Sequence, residues 1–180
     1  TPDRNPVFDP KGRYLYFLSD RDYNLDFSSY EFNWLYSDAT RIYAATLAAD
    51  GPALFRPRSD ETGAADNGNG NGKDNGKDNG NAAPPAVRID VDGFAARVQP
   101  LKAPAGGYGR LDANDEGVFY VAGGGRNGAP SLHFLATEGD EPAKVADAVG
   151  SYVLSADGSK LLLRQRDTFA IVDAKPEAKV

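Results

Sequence analysis

His133 is the one histidine of the 180-residue chain, and Ser131 stands two residues before it. A serine beside an imidazole becomes a hydrolytic nucleophile when a third group orients the ring and backbone donors form an oxyanion site. In Ser131-Leu132-His133-Phe134, strand alternation places Ser131 and His133 on one face and Leu132 and Phe134 on the other. No orienting acid or oxyanion motif accompanies them, so His133 reads as a surface histidine and no catalytic residue is assigned. Gly123-Gly124-Gly125-Arg126-Asn127-Gly128 carries the letters of a dinucleotide fingerprint. That chemistry needs a helix opening after the glycines, and here Pro130 and a strand pattern follow, so the segment reads as a hairpin loop. Asp90-Val91-Asp92-Gly93 suggests a calcium loop, yet Phe94 and Ala95 occupy positions where a ligand and the required glycine belong. Neither a metal site nor a cofactor is assigned.

Aromatic side chains form the fourth candidate. Tyr30, Phe32, Trp34 and Tyr36 alternate with Glu31, Asn33 and Leu35. An extended segment would set the four rings on one face, either buried against a neighbouring element or presented as a peptide-contacting or subunit-contacting surface.

Composition limits the partners. The net charge of −6 argues against nucleic acid and anionic membrane, since both are bound through basic patches. No apolar run approaches the ~18 residues needed to cross a bilayer, and no signal peptide opens the chain. Cysteine is absent, which removes disulfides, thiolate metal sites and thiol nucleophiles. Methionine is absent too, and the expectation is an excised piece or a processed product. The stretch 62–85 is nearly all Gly, Asn, Asp, Lys and Ala, with Asn-Gly-Lys-Asp repeated at 71–74 and 75–78. It contains too little apolar surface to offset its ordering entropy and is expected to be a disordered loop.

The elements that would position these residues are short strands. Tyr14-Leu15-Tyr16-Phe17-Leu18 and 41–47 are strongly apolar, Val87-Arg88-Ile89-Asp90 is a shorter candidate, and Pro100 marks 97–101 as an edge strand. Further strands are expected at 117–121, 132–136, 151–154, 161–164 and 169–172, and no amphipathic helix of useful length competes. An internal repeat narrows the architecture. Phe8-Asp9-Pro10-Lys11-Gly12-Arg13-Tyr14 and Leu154-Ser155-Ala156-Asp157-Gly158-Ser159-Lys160 are two copies of a strand, a tight Asp/Gly turn and an apolar strand. Leu111-Asp112-Ala113-Asn114-Asp115-Glu116-Gly117 is a degenerate third. Gly117 and Gly158 stand 41 residues apart, within the ~40–45 residues of a four-stranded propeller blade. Gly12 and Gly117 stand 105 apart, as expected for one blade swollen by the aromatic stretch and the low-complexity loop. The fold expected is all-β, a partial β-propeller of about three four-stranded antiparallel blades. Its divisions are 1–103, with an aromatic insertion at about 22–38 and the loop at 62–85, then 104–148, then an incomplete blade at 149–180.

The Asp-Pro-Lys-Gly and Ser-Ala-Asp-Gly turns resemble those of TolB-type, WD40-like propellers. The run from Phe8 through Arg21-Asp22-Tyr23-Asn24, with Tyr30-Glu31-Phe32-Asn33, Thr40-Arg41-Ile42-Tyr43-Ala44, Val87-Arg88-Ile89-Asp90-Val91-Asp92-Gly93 and Pro104-Ala105-Gly106-Gly107-Tyr108, resembles the tricorn protease family. The resemblance implies late blades of a second, seven-bladed propeller, preceding a serine peptidase half that this chain does not match. It further implies a non-catalytic scaffold that channels peptides to a catalytic domain outside the chain. The remaining blades, the peptidase domain and peptide substrates would be its partners, in a homo-oligomeric parent. The rival expectation is a TolB-like propeller that binds proteins without peptidase activity. The resemblance favours cytoplasm, with periplasm or secretion left open.

Overall fold

The computed structural model describes residues 2–22, 25–28, 33–36, 39–54, 87–123 and 128–176, with 25–28 and 33–36 described as strand backbone. The low-complexity stretch 62–85 lies outside these residues. No helix among the described residues is long and apolar enough to cross a membrane.

The first sheet comprises β1 (Asp3–Phe8), β2 (Tyr14–Ser19), β5 (Arg41–Thr46) and β6 (Val98–Pro100), antiparallel and in that spatial order. Between β2 and β5 the chain leaves the sheet to form the hairpin of β3 (Leu25–Ser28) and β4 (Asn33–Tyr36). The second sheet is a four-stranded antiparallel meander of β7 (Tyr108–Ala113), β8 (Gly117–Ala122), β9 (Ser131–Ala136) and β10 (Ala143–Ala146). The third contains β11 (Ser151–Leu154), β12 (Lys160–Gln165) and β13 (Thr168–Asp173). One 3-10 turn, Phe94–Arg97, precedes β6. Pro100 ends β6 at the edge of its sheet, where a missing N–H costs no ladder bond.

The sheets pack face upon face. Tyr14, Tyr16 and Leu18 of β2, with Ile42 and Ala44 of β5, form one apolar cluster with Leu111, Val118, Tyr120 and Leu135 of the second sheet. The other face of the second sheet supplies Phe119, Leu132 and Phe134 to a second cluster, completed by Tyr152, Leu161, Leu163 and Val172 of the third. The central strands can therefore be apolar on both faces, because each face meets another sheet. Burying each large side chain contributes roughly 1.5–3 kcal/mol. Polar tips inside these seams are satisfied: Tyr16 Oη lies 2.7 Å from Thr137 Oγ1, and Tyr152 Oη donates to the carbonyls of Arg110 and Phe119. Burial pushes the Tyr16 phenol up to about 12, against the opposing hydrogen bond from Thr137.

One device recurs at the three turns. The Asp9 carboxylate accepts from the Tyr14 N–H at 2.9 Å, Ser155 Oγ from the Lys160 N–H at 2.9 Å, and Asn114 Oδ1 from the Gly117 N–H at 3.1 Å. A short polar side chain thus caps the first amide of the next strand. These bonds revise the alignment of the repeat. Gly12 and Gly158 take φ of 66° and 70° inside their turns. Gly117 is instead the first residue of β8, equivalent to Tyr14 and Lys160, because the second turn is two residues shorter. The matched spacing becomes the 43 residues from Gly117 to Lys160. Gly117 is required for a different reason: a Cβ there would lie 2.2 Å from the Leu135 carbonyl oxygen.

The strand expected at Val87-Arg88-Ile89-Asp90 does not form. The Asp90 N–H donates to the Leu47 carbonyl, and Asp90 Oδ2 accepts from the Ala49 N–H at 2.7 Å. Arg97 binds the carbonyls of Thr46, Leu47, Asp90 and Asp92. These bonds hold the segment without a ladder, leaving Val87, Ile89 and Val91 exposed despite their strand-like alternation. The sequence reading also missed β10 and the hairpin form of the insertion.

Candidate functional site

The insertion is built as a hairpin, with Leu25 opposite Tyr36 and Phe27 opposite Trp34 in register. Of the four aromatic candidates, Trp34 and Tyr36 belong to β4, while Tyr30 and Phe32 lie outside the described residues.

A polar network joins the end of β2 to the start of β5, the two strands between which the hairpin is inserted. Asp20 accepts from Arg4 at 2.6 Å and from Thr40 Oγ1 at 2.6 Å, and Arg4 also donates to Thr40 Oγ1 at 2.8 Å. The Arg4 hydrogen bond, reinforced by Thr40, holds the Asp20 carboxyl below the usual carboxylate range despite burial. Arg21 donates to Ser19 Oγ at 2.9 Å and to Asp3 at 2.8 Å, and its guanidinium lies 4.7 Å from the Tyr43 ring centroid and 5.3 Å from that of Phe17. Tyr43 Oη donates to Asp22 at 3.0 Å. Arg41 Nε is 2.5 Å from Asp22 Oδ2 but lacks the alignment of a hydrogen bond, so that contact is an ion pair without a directed N–H. Three arginines face three aspartates here, and the network fixes geometry without presenting net charge. Sequence reasoning passed over these residues. Their signal was the alternation Ser19-Asp20-Arg21-Asp22, where an apolar strand becomes charged at the start of the insertion.

The Ser131–His133 pair forms as strand alternation requires, with Ser131 Oγ 2.9 Å from His133 Nε2. His133 is half-buried and stacked on Tyr120, ring centroids 5.5 Å apart, which corrects the surface reading. Ser131 Oγ also lies 3.3 Å from the Ala122 carbonyl oxygen. The hydroxyl thus lies within reach of two partners with one proton to give, and the His133 tautomer decides which of them receives it. Burial, followed by the charge of Lys144, lowers the His133 pKa, with Asp147 opposing.

The other two motifs have structural uses. Gly123 takes φ 83° after β8, residues 124–127 lie outside the described set, and the next element is β9. Among the described residues no helix N-terminus follows β8 that could receive a pyrophosphate. At 90–93, Asp90 is engaged by Ala49 and Arg88, and Gly93 takes φ 68° to enter the 3-10 turn. Among the described residues, no group of three or more His, Cys, Asp or Glu side chains could hold a metal ion.

Face-stacked antiparallel sheets in chain order, each carrying the same turn between its first two strands, define a β-propeller segment. Comparison with known proteins agrees. No family model matches the chain. It is 32% identical over 123 residues to tricorn protease homolog 1 of Streptomyces coelicolor, a match covering 66% of this chain and 11% of that protein. The crystal structure of the tricorn protease superposes on 98% of this chain with a TM-score of 0.65 at 16% identity, involving 18% of that larger chain. The sequence match makes this chain a relative of a tricorn protease homolog, and the structural match gives it the same propeller fold. The chain spans about a tenth of the length of the relative it matches in sequence.

Proposed function

We propose that this chain is a non-catalytic propeller segment of a tricorn-like serine peptidase, serving as a scaffold that leads peptides toward a catalytic domain outside it. The observation carrying this reading is the likeness of the stacked sheets to the tricorn protease, together with 32% identity over 123 residues to tricorn protease homolog 1. The Ser131–His133 pair is the one Ser–His contact among the described residues. Late blades of a seven-bladed ring would provide the surrounding architecture, and the remaining blades and the peptidase domain the adjoining partners. The β3–β4 hairpin, carrying Trp34 and Tyr36 and flanked in sequence by Asp20 and Thr40, is the surface assigned to peptide or subunit contact. The test is an assay of residues 1–180 on fluorogenic peptides beside Ser131→Ala and His133→Ala. No turnover is expected from any of the three proteins. Turnover by the unaltered chain that vanishes in either variant would overturn the scaffold reading.

A further inference from the structure

Asn5 and Arg110 are exposed residues with left-handed backbone, at φ 53° and 42°. They occupy the same place in two sheets. Asp9 and Asn114 are the equivalent turn caps, and counting back from them sets Asn5 against Arg110 and Pro6 against Leu111. Both fall where the ladder slips: the pairing of β1 with β2 shifts between Arg4 and Val7, and that of β7 with β8 between Gly109 and Leu111. Each belongs to a β-bulge in the first strand of its sheet, and the left-handed position of such a bulge is ordinarily glycine. Asparagine reaches the left-handed region at little cost, because its short polar side chain bonds locally. Arginine has no such means, so a contact from outside the strand must hold Arg110.

The third sheet supplies that contact. Tyr152 Oη donates to the Arg110 carbonyl at 3.2 Å, and the Arg110 guanidinium carbon lies 4.9 Å from the centroid of the Tyr152 ring. Arg110 Nε donates to Asp112 at 3.1 Å, which tethers the guanidinium within β7. One residue thus grips one buried tyrosine at both ends, its carbonyl taking the hydroxyl and its cation covering the ring. The first seam differs at both members of the pair. Tyr152 lies opposite Leu163 and Leu111 opposite Tyr120, each the third residue after the start of its second strand, so Leu111 is the equivalent of Tyr152. Leucine has no side-chain donor, and there the bulge residue is Asn5. Asparagine stands where no hydroxyl reaches the bulge, and arginine where one does. We propose that Arg110 is a two-state latch of the seam between the second and third sheets. Docking of Tyr152 holds it in the left-handed bulge, and loss of the tyrosine hydroxyl returns it to extended backbone. The coupling is reciprocal, so whatever holds Arg110 left-handed also favours docking of the third sheet. The edge strand β7 thereby changes shape according to whether the third sheet is seated. The latch lies between two sheets of this chain and is independent of any peptide handling.

The one-bond Cα–Hα coupling at position 110, measured by NMR on the full 180-residue chain labelled with carbon-13, separates positive from negative φ. The unaltered chain should show the positive-φ value. Tyr152→Phe should shift position 110 to the negative-φ value, and the double variant Tyr152→Phe/Arg110→Asn should shift it back. Asn5, read in the same spectra, is the internal control and should keep its positive-φ value throughout. A negative-φ value at Arg110 in the unaltered chain overturns the proposal. Retention of the positive value by Arg110 in Tyr152→Phe also overturns it, since the bulge alone would then hold the residue. So does a double variant that fails to shift back. Should Tyr152→Phe unfold the chain, the double variant decides. A folded chain with the positive value at position 110 supports the latch. An unfolded one overturns it, because the lost bond to the Phe119 carbonyl would then be what matters.

Discussion

Asp9 performs several tasks with one carboxylate. It accepts from the backbone N–H groups of Arg13 and Tyr14 and pairs with Arg13 Nε at 2.7 Å, while its side chain is shielded from solvent. Asp9→Ala leaves these donors without their partner and should cost about 2–3 kcal/mol, read in urea unfolding as a lower midpoint at unchanged m. Gly117→Ala should cost about 1–3 kcal/mol, the scale of overpacking, because the added carbon meets the Leu135 carbonyl. Gly109→Ala is the control, with nothing within 4 Å of the added Cβ, and should stay within ~0.5 kcal/mol. His133 makes stability depend on pH. Its folded pKa lies below 6.5, so the unfolded chain binds the proton more readily. The contribution is fully present above the unfolded pKa and is lost as pH falls through the folded value. Melting temperature should therefore decline as pH drops below about 6.5, and His133→Gln should flatten that part of the profile. An unchanged slope in the variant would assign the decline to other groups.

Strands and turns were legible in the sequence to the extent that their causes were local. The alternating apolar run Tyr14-Leu15-Tyr16-Phe17-Leu18 and the Asp/Gly turns specify β2 and its approach, and the structure has both. The equivalence of Gly117 was misread because a glycine required for close backbone approach looks the same as a glycine required for positive φ. Val87-Arg88-Ile89-Asp90 failed because alternation does not reveal that Asp90 and Arg97 will fix the segment from outside the ladder. The network joining β2 to β5 depends on pairs far apart in sequence, such as Arg4 with Thr40, which periodicity cannot detect. The hairpin itself remains a testable element. As the packing alternative requires, Trp34 fluorescence should be blue-shifted and resistant to iodide in the intact protein. A red-shifted, freely quenched spectrum would favour the exposed contact surface instead.

Among the described residues three sheets stack in chain order, each contacting its neighbours through one apolar seam, with the β3–β4 hairpin as a separate two-stranded sheet. The middle sheet is enclosed on both sides, whereas each terminal sheet has a single seam. Stacks with nearest-neighbour coupling behave as one-dimensional systems, in which stability sums over units and interfaces. A terminal sheet can then open by breaking one interface, while the middle sheet must lose two. Slow amide exchange should consequently concentrate in β8 and β9, with β12 and β13 exchanging earlier through opening of the third sheet alone. Native-state hydrogen exchange in low denaturant distinguishes this order. The same protection in β8 and β12 at every denaturant concentration would mean that the three sheets unfold as one unit. If the order holds, the chain has a folding polarity: the meander β7–β10, formed from sequence neighbours, is the template on which both outer sheets settle.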